Sequence, residues 1–150
     1  MCLPLLVLGC SASTGDFERA IEHYDKAIRV DPQDASAYYN RGTAYYLLDQ
    51  PKRAIRDYDE AIRFNAQYVD AYYLRGAAYD NLGQHQPAIQ DYDEVIRLNP
   101  EDAQAYFSRG IANTLLSKDL KALEDIERAV DLGFDRARLE VFIEEARSQR

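Results

Sequence analysis

Residues 69–102 read VDAYYLRGAAYDNLGQHQPAIQDYDEVIRLNPED, and this stretch decides the fold because related stretches stand 34 residues before and after it. Residues 35–68 and 103–136 can be laid over it in the same register, and residues 15–34 match its second half. A repeat of this period is typical of stacked supersecondary units, each of which buries its apolar face only against its neighbours. The shared surface of such units, rather than a catalytic pocket, is usually their working part.

Each repeat contains two segments in which apolar residues recur every three or four positions, the pattern of an amphipathic helix. Gly83 separates the two segments of residues 69–102 and is suited to ending a helix. Pro51 and Pro87 lie near the start of second segments, where a missing N–H group is tolerated. Small residues recur where two helices must approach closely: Gly42, Gly76 and Gly110 in the first segments, and Ala20, Ala54, Ala88 and Ala122 in the second. The pattern predicts an all-α chain of helix pairs.

A helix–turn–helix unit of this length, with aromatic and small residues in this order, resembles the tetratricopeptide repeat (TPR). The resemblance covers residues 15–134 and implies a solenoid of antiparallel helix pairs, an α-α superhelix. It weakens in the last repeat, where Asn113 stands at the position of Tyr45 and Tyr79.

A C-terminal capping helix is predicted for residues 137–150. Leu139, Phe142, Ile143 and Ala146 form an apolar stripe at helical spacing, and charged residues cover the opposite side. A solenoid needs such an end, with one apolar face and one wet face. The predicted organisation is a half repeat at 15–34 with a lone helix at about 16–30, full repeats at 35–68, 69–102 and 103–136, and the cap.

Residues 1–14, MCLPLLVLGCSAST, carry no charge and are too short to span a bilayer. They are similar to a secretory signal, and residues 7–10 (VLGC) resemble a bacterial lipobox. That resemblance implies a lipid on Cys10 and a place in the bacterial envelope, at the outer membrane or in the periplasm. The segment departs from the pattern because no Lys or Arg precedes the apolar run. The alternative is an apolar tail or first helix, against which Pro4 and Gly9 argue.

Composition and motifs exclude several classes of function. The net charge is −8, from 26 acidic and 18 basic residues with no basic stripe, which disfavours nucleic acid and anionic membrane surfaces as partners. Contact with a membrane is expected only through the lipid on Cys10. Both cysteines lie in the first ten residues, and His23 and His85 are isolated, so no metal site is predicted. No nucleophile or phosphate-binding motif is present, and we expect neither enzymatic activity nor a cofactor.

Arg41, Arg75 and Arg109 recur at one position of the repeat. In an antiparallel hairpin, residues equally far from the turn lie at the same height, so counting eight residues back and forward from Gly83 pairs Arg75 with Asp91. The same count pairs Arg41 with Asp57 and Arg109 with Asp125. The sequence therefore predicts structural ion pairs within each full repeat, and the alternative is independently solvated arginines. A second set has i, i+4 spacing on the predicted outer face: Asp25–Arg29, Asp59–Arg63 and Asp93–Arg97.

The TPR resemblance implies that the first helices line a concave groove. Tyr39, Tyr73 and Phe107 then form an aromatic ladder able to grip an extended or helical peptide. The face lacks Lys and Arg, which disfavours a clamp for carboxylates and favours an apolar or mildly basic ligand. The alternative is that the rings pack on neighbouring repeats. The predicted contact residues are Tyr39, Asn40, Thr43, Tyr46, Tyr73, Ala77, Asp80, Asn81, Phe107 and Ile111.

These patterns favour a non-enzymatic scaffold that binds a protein or peptide and is anchored by lipid in a bacterial envelope. One alternative is a soluble cytoplasmic TPR adaptor. Another is an assembly subunit that forms a homodimer through the apolar strip of the lone helix at residues 16–30. Sedimentation at several protein concentrations distinguishes the second alternative from a monomeric adaptor.

Overall fold

The computed structural model describes residues 13–149, and within them the chain is all-α, which confirms the predicted fold class. The helices are α1 (Thr14–Val30), α2 (Ala35–Leu47), α3 (Pro51–Phe64), α4 (Val69–Asn81), α5 (His85–Leu98), α6 (Ala103–Leu115), α7 (Asp119–Asp131) and α8 (Arg136–Ser148).

The helices pack as hairpins, α2 with α3, α4 with α5 and α6 with α7. Each hairpin joins the previous one through α1–α2, α3–α4 and α5–α6 contacts. Direct contacts also link α2 with α4, α4 with α6 and α6 with α8. We call α2, α4, α6 and α8 the inner layer, because these helices lie side by side along the array. The helix α8 takes the place that the first helix of a further repeat would have.

The turn inside each hairpin has the same backbone conformation. Asp49, Gly83 and Ser117 lie at equivalent positions with φ of 55°, 69° and 57°. Gly83 adopts this left-handed conformation at no steric cost, whereas the other two do so with a side chain. Each turn is closed by a hydrogen bond of 2.9 Å, from Gln50 N to Tyr45 O, from Gln84 N to Tyr79 O and from Lys118 N to Asn113 O.

Large side chains pack on the small residues predicted from the repeat. Tyr58 and Tyr92 are buried, and each ring lies against the glycine of the partner helix, Gly42 or Gly76. In the third full repeat, Ile126 is the side chain that faces Gly110. Glycine at this position therefore lets the two helices of a hairpin approach closely.

The two ends of the array differ. At the C-terminal end, α8 buries Leu139, Ile143 and Ala146, but Phe142, predicted to lie on the same buried face, is 39% exposed. At the other end, α1 contains no buried residue. A homodimer through residues 16–30 stays a prediction.

The first helix begins within the last two residues of the segment assigned to residues 1–14. Thr14 already belongs to α1, and Ser13 precedes it as the N-cap residue. The Ser13 backbone N–H donates to the Asp16 carboxylate at 2.8 Å, which satisfies one of the free donors at a helix start. Cys10 lies outside the described residues. Within residues 13–149, no helix combines the length and the apolar character that crossing a bilayer requires.

Candidate binding face

One arginine in each of α2, α4 and α6 joins three helices. Arg75 of α4 donates through Nε and Nη2 to both carboxylate oxygens of Asp91 on α5, at 2.9 and 2.6 Å. Its Nη1 donates to Asp59 Oδ1 on α3, in the preceding repeat, at 2.6 Å. The same contacts join Arg41 to Asp57 and Asp25, and Arg109 to Asp125 and Asp93.

The acids of the second set have different partners from those predicted. Asp25, Asp59 and Asp93 were expected to pair with an arginine four residues later, but each bonds to the arginine of the following repeat. Two of the expected arginines instead pair three residues back, Arg63 with Glu60 and Arg97 with Glu94. The i, i+4 prediction is wrong because the register between repeats brings the guanidinium of the following repeat closer to each acid than the arginine on the acid's own helix.

These arginines are withdrawn from solvent. The side chain of Arg75 is 19% exposed and that of Asp91 is 5% exposed. Hydrogen bonds to Asp57 raise the pKa of Arg41 above its ordinary value. Burial raises the pKa of Asp91, and the hydrogen bonds from Arg75 oppose that rise. Because α2, α4 and α6 contain no other Lys or Arg, these three helices offer no free cation to a ligand.

The rings of the predicted aromatic ladder pack against the next element of the array. Tyr39 lies 4.8 Å from Tyr68, ring centre to ring centre, and burial raises the pKa of Tyr39 to about 12. The Tyr73 hydroxyl lies 3.2 Å from Ser108 Oγ on α6. Phe107 stacks on Phe134 at 4.5 Å and also contacts Phe142 of α8 edge-on. These contacts match the alternative interpretation, in which the rings pack on neighbouring repeats, although all three rings remain partly exposed.

Three other predicted contact residues make contacts within the protein itself. Thr43 is only 8% exposed, and its hydroxyl donates to the Tyr39 backbone oxygen at 2.9 Å. It therefore lies in the core and not on the groove surface, where it was predicted. Asn40 Nδ2 donates to the backbone oxygen of Ser36, on the same helix, at 2.8 Å. Ile111 is half-buried and packs on the apolar cluster formed by α7 and α8.

The remaining predicted residues come together between α2 and α4. Burial raises the pKa of Tyr46, the nearby Asn81 amide opposes that rise, and Tyr73 and Asp80 are close enough to add to it. Asn81 is exposed, and Tyr46, Tyr73 and Asp80 are half-buried. Ala77, also half-buried, lies one helical turn from Tyr73 and Asn81. We call Tyr46, Tyr73, Ala77, Asp80 and Asn81 the inner patch.

Asp80 is held by two side chains whose contacts with it were not predicted from the sequence. His85 Nδ1 lies 2.8 Å from Asp80 Oδ1, and the Tyr92 hydroxyl donates to Asp80 Oδ2 at 2.9 Å. Burial raises the pKa of Asp80, while His85 and Tyr92 oppose the rise through their hydrogen bonds. His85 therefore contacts Asp80 and is not isolated, contrary to the prediction. Its position just after the turn is the signal in the sequence that could have revealed the contact. The three residues fix the rim of the inner patch.

Within residues 13–149, no three His, Cys, Asp or Glu side chains are grouped as metal ligands would be. The geometry of the inner patch, phenol rings, an amide and one carboxylate held by hydrogen bonds, suits contact with another chain.

A family model described as "TPR repeat" matches residues 12–49, and one described as "Tetratricopeptide repeat" matches residues 35–68 and 69–102. The chain belongs to the tetratricopeptide repeat family. Among curated protein sequences, none matches significantly.

Solved structures of TPR proteins are similar to this one. A crystal structure of MamA protein is 33% identical, with a TM-score of 0.76, and the match covers 83% of this chain and 68% of that one. The first TPR of Spaghetti (RPAP3), bound to the HSP90 peptide SRMEEVD, is 31% identical, with a TM-score of 0.67 and coverage of 69% and 82%. YrrB, described as a TPR protein with an unusual peptide-binding site, shares the fold at 24% identity, with a TM-score of 0.78 and coverage of 91% and 72%.

Proposed function

We propose that this TPR protein is a non-enzymatic adaptor that binds a peptide segment of a partner protein on the inner patch. The observation that carries the proposal is the composition of that patch. It presents phenol rings, an amide and a small alanine surface between two packed helices, and such surfaces recognise peptides through apolar contact and backbone hydrogen bonds. The complex of the first TPR of RPAP3 with an HSP90 peptide supports a binding role for the fold.

Charge selects the kind of peptide. The three arginines of α2, α4 and α6 are held by two carboxylates each, whereas Asp70 is exposed and Asp80 lies on the rim of the patch. A peptide such as SRMEEVD, with three acidic side chains and one arginine, would meet carboxylates and no free cation. An apolar segment with Lys or Arg at its edges matches this face, because its cations face acids.

The test is a peptide-binding titration of matched variants. Ala77→Arg places a long cationic side chain in the centre of the inner patch, and we expect it to weaken binding of apolar, cationic library peptides at least about tenfold. Gln90→Arg makes the same change in charge on the exposed side of α5 in the same repeat and should leave affinity unchanged. Fluorescence anisotropy with labelled peptides reports both affinities.

Two outcomes of this titration would contradict the proposal. One is tighter binding of SRMEEVD than of the cationic peptides by the wild-type chain. The other is an equal loss of affinity in Ala77→Arg and Gln90→Arg, since the effect would then come from net charge and not from the patch.

We further propose that the protein is anchored by lipid in a bacterial envelope. The residues VLGC at 7–10 support a lipid on Cys10 and a place in the bacterial envelope, and a cytoplasmic adaptor is the alternative. Intact mass of the protein from its own host, measured in membrane and soluble fractions, tests this. We expect a chain that begins at Cys10 with added acyl mass in the membrane fraction. An unmodified chain that retains Met1 in the soluble fraction would discard the anchor and leave the binding role untouched.

A further inference from the structure

A cavity of about 310 Å³ opens between α5, α6 and α7, and it shares no residue with the inner patch. Asn113 of α6, 3% exposed, forms part of its wall and donates through Nδ2 to Asp125 Oδ2 at 3.2 Å. The cavity is also lined by Ile89, Asp93, Arg109, Lys118, Lys121 and Glu124.

The preceding repeat identifies what this space holds when it is filled. Tyr79 stands at the position of Asn113. Tyr79 lies one helical turn after Arg75, which binds the carboxylates of Asp59 and Asp91, so the phenol is placed near both acids. Burial raises the pKa of Tyr79, Asp59 and Asp91 add to the rise, and Arg75 opposes it. The counterparts of these acids one repeat later are Asp93 and Asp125, which line the cavity. The cavity therefore occupies the space that a tyrosine ring fills in the preceding repeat.

The first full repeat adds a second detail of the same arrangement. The guanidinium of Arg53 lies over the ring of Tyr45, 5.5 Å from its centre. Lys121 is the counterpart of Arg53 two repeats later, and it lines the cavity. The third repeat thus keeps a cation beside the ring position while Asn113 removes the ring. A cation over a phenol face is attractive, because the face of the ring carries partial negative charge.

The charges in the wall favour a neutral ligand over an anion. Arg109 is held by Asp93 and Asp125, and Lys118 Nζ donates to Gln86 Oε1 at 2.7 Å. Glu124 lines the same cavity as Lys121. The wall therefore contains three cations and three carboxylates, and an added anion would meet as many repulsive as attractive charges.

We propose that this cavity binds the side chain of a tyrosine presented by a partner protein. The ring takes the place that Tyr79 has one repeat earlier, against Ile89 and beside the Lys121 ammonium. Its hydroxyl can donate to a carboxylate, which accepts hydrogen bonds readily. The inference does not rest on binding at the inner patch, because the two sites have no residue in common.

The experiment is an NMR titration of the ¹⁵N-labelled full chain with N-acetyl-tyrosinamide, a neutral tyrosine with blocked termini. We expect saturable shifts at the Asn113 side-chain amide and at the amides of Lys118 and Lys121. N-acetyl-phenylalaninamide, which lacks the hydroxyl, should bind several-fold more weakly. Lys121→Gln should weaken binding of the tyrosine probe several-fold.

Asn113→Tyr supplies the matched variant, because it fills the cavity with the chain's own ring. It should abolish the shifts, whereas Asn99→Tyr, the same substitution at an exposed residue between α5 and α6, should leave them unchanged. The proposal is overturned if Lys118 and Lys121 show no shifts, if the probe shifts only residues of the inner patch, or if the shifts at Lys118 and Lys121 persist in Asn113→Tyr. Should that variant fail to fold, unchanged affinity in Lys121→Gln overturns the proposal in its place.

Discussion

Arg75→Leu is expected to lower the free energy of unfolding by on the order of 3–5 kcal/mol. The Asp91 side chain is 5% exposed in the wild-type chain, and the substitution removes the two hydrogen bonds that Arg75 donates to it. A buried charge that loses its partner keeps its full desolvation cost, which is why removing one member of such a pair is costly. Equilibrium unfolding in urea measures the change.

The double-mutant cycle distinguishes a coupled pair from two independent residues. Asp91→Leu should be destabilising by a similar amount, since Arg75 then keeps only the half-exposed Asp59 as a partner. Arg75→Leu with Asp91→Leu removes both buried charges, and its cost should be well below the sum of the single changes. Additive effects, each no more than about 1 kcal/mol, would show that the arginine is solvated independently.

A matched control lies on the same helix. Glu94 and Arg97 of α5 form an ion pair whose side chains are 40% and 57% exposed. Replacing either by leucine should change stability by no more than about 1 kcal/mol, because water solvates the remaining charge. A large effect at this exposed pair would mean that leucine on α5, and not loss of the buried pair, explains the result at Asp91.

The arginine network shows what the sequence could and could not predict. The Arg75–Asp91 contact follows from counting residues across one turn, because the geometry of a helical hairpin is local. The contact with Asp59 depends on how two repeats are offset, and a single sequence contains no measure of that offset. Asp59 and Arg63 have the spacing of a helix pair, which hid the true partner.

The candidate site was predictable to a similar degree. The periodicity of the repeat placed Tyr46, Tyr73 and Asn81 on one layer, and they do meet there. It could not show that Thr43, on the same predicted stripe, is buried against the hydroxyl of Tyr58, since burial depends on the size of the facing side chain. The Asp80–His85 contact was missed because it occurs in one repeat alone and breaks the periodic pattern.

Gly76→Ala is expected to destabilise the protein by about 1–3 kcal/mol, although alanine favours a helix. A Cβ at this position would lie 2.8 Å from Tyr92 Cε1 and 3.1 Å from Cζ. The ring cannot move away freely, because Tyr92 is buried and its hydroxyl donates to Asp80. The overlap should therefore outweigh the gain of about 1 kcal/mol from replacing glycine within a helix. Thermal and urea unfolding measure the difference.

Gly110→Ala is the internal control, since it makes the same change one repeat later with an opposite expected outcome. Its Cβ would lie 3.3 Å from Ile126 Cγ1, and an aliphatic side chain can shift by the few tenths of an ångström required. We expect stability equal to the wild type or slightly higher. If the ring at Tyr92 is the cause, Gly76→Ala should cost less in a Tyr92→Ile background, which reproduces the third repeat. An unchanged cost in that background would place the constraint in the helix backbones, and the glycine would then set the distance between α4 and α5 whatever side chain faces it.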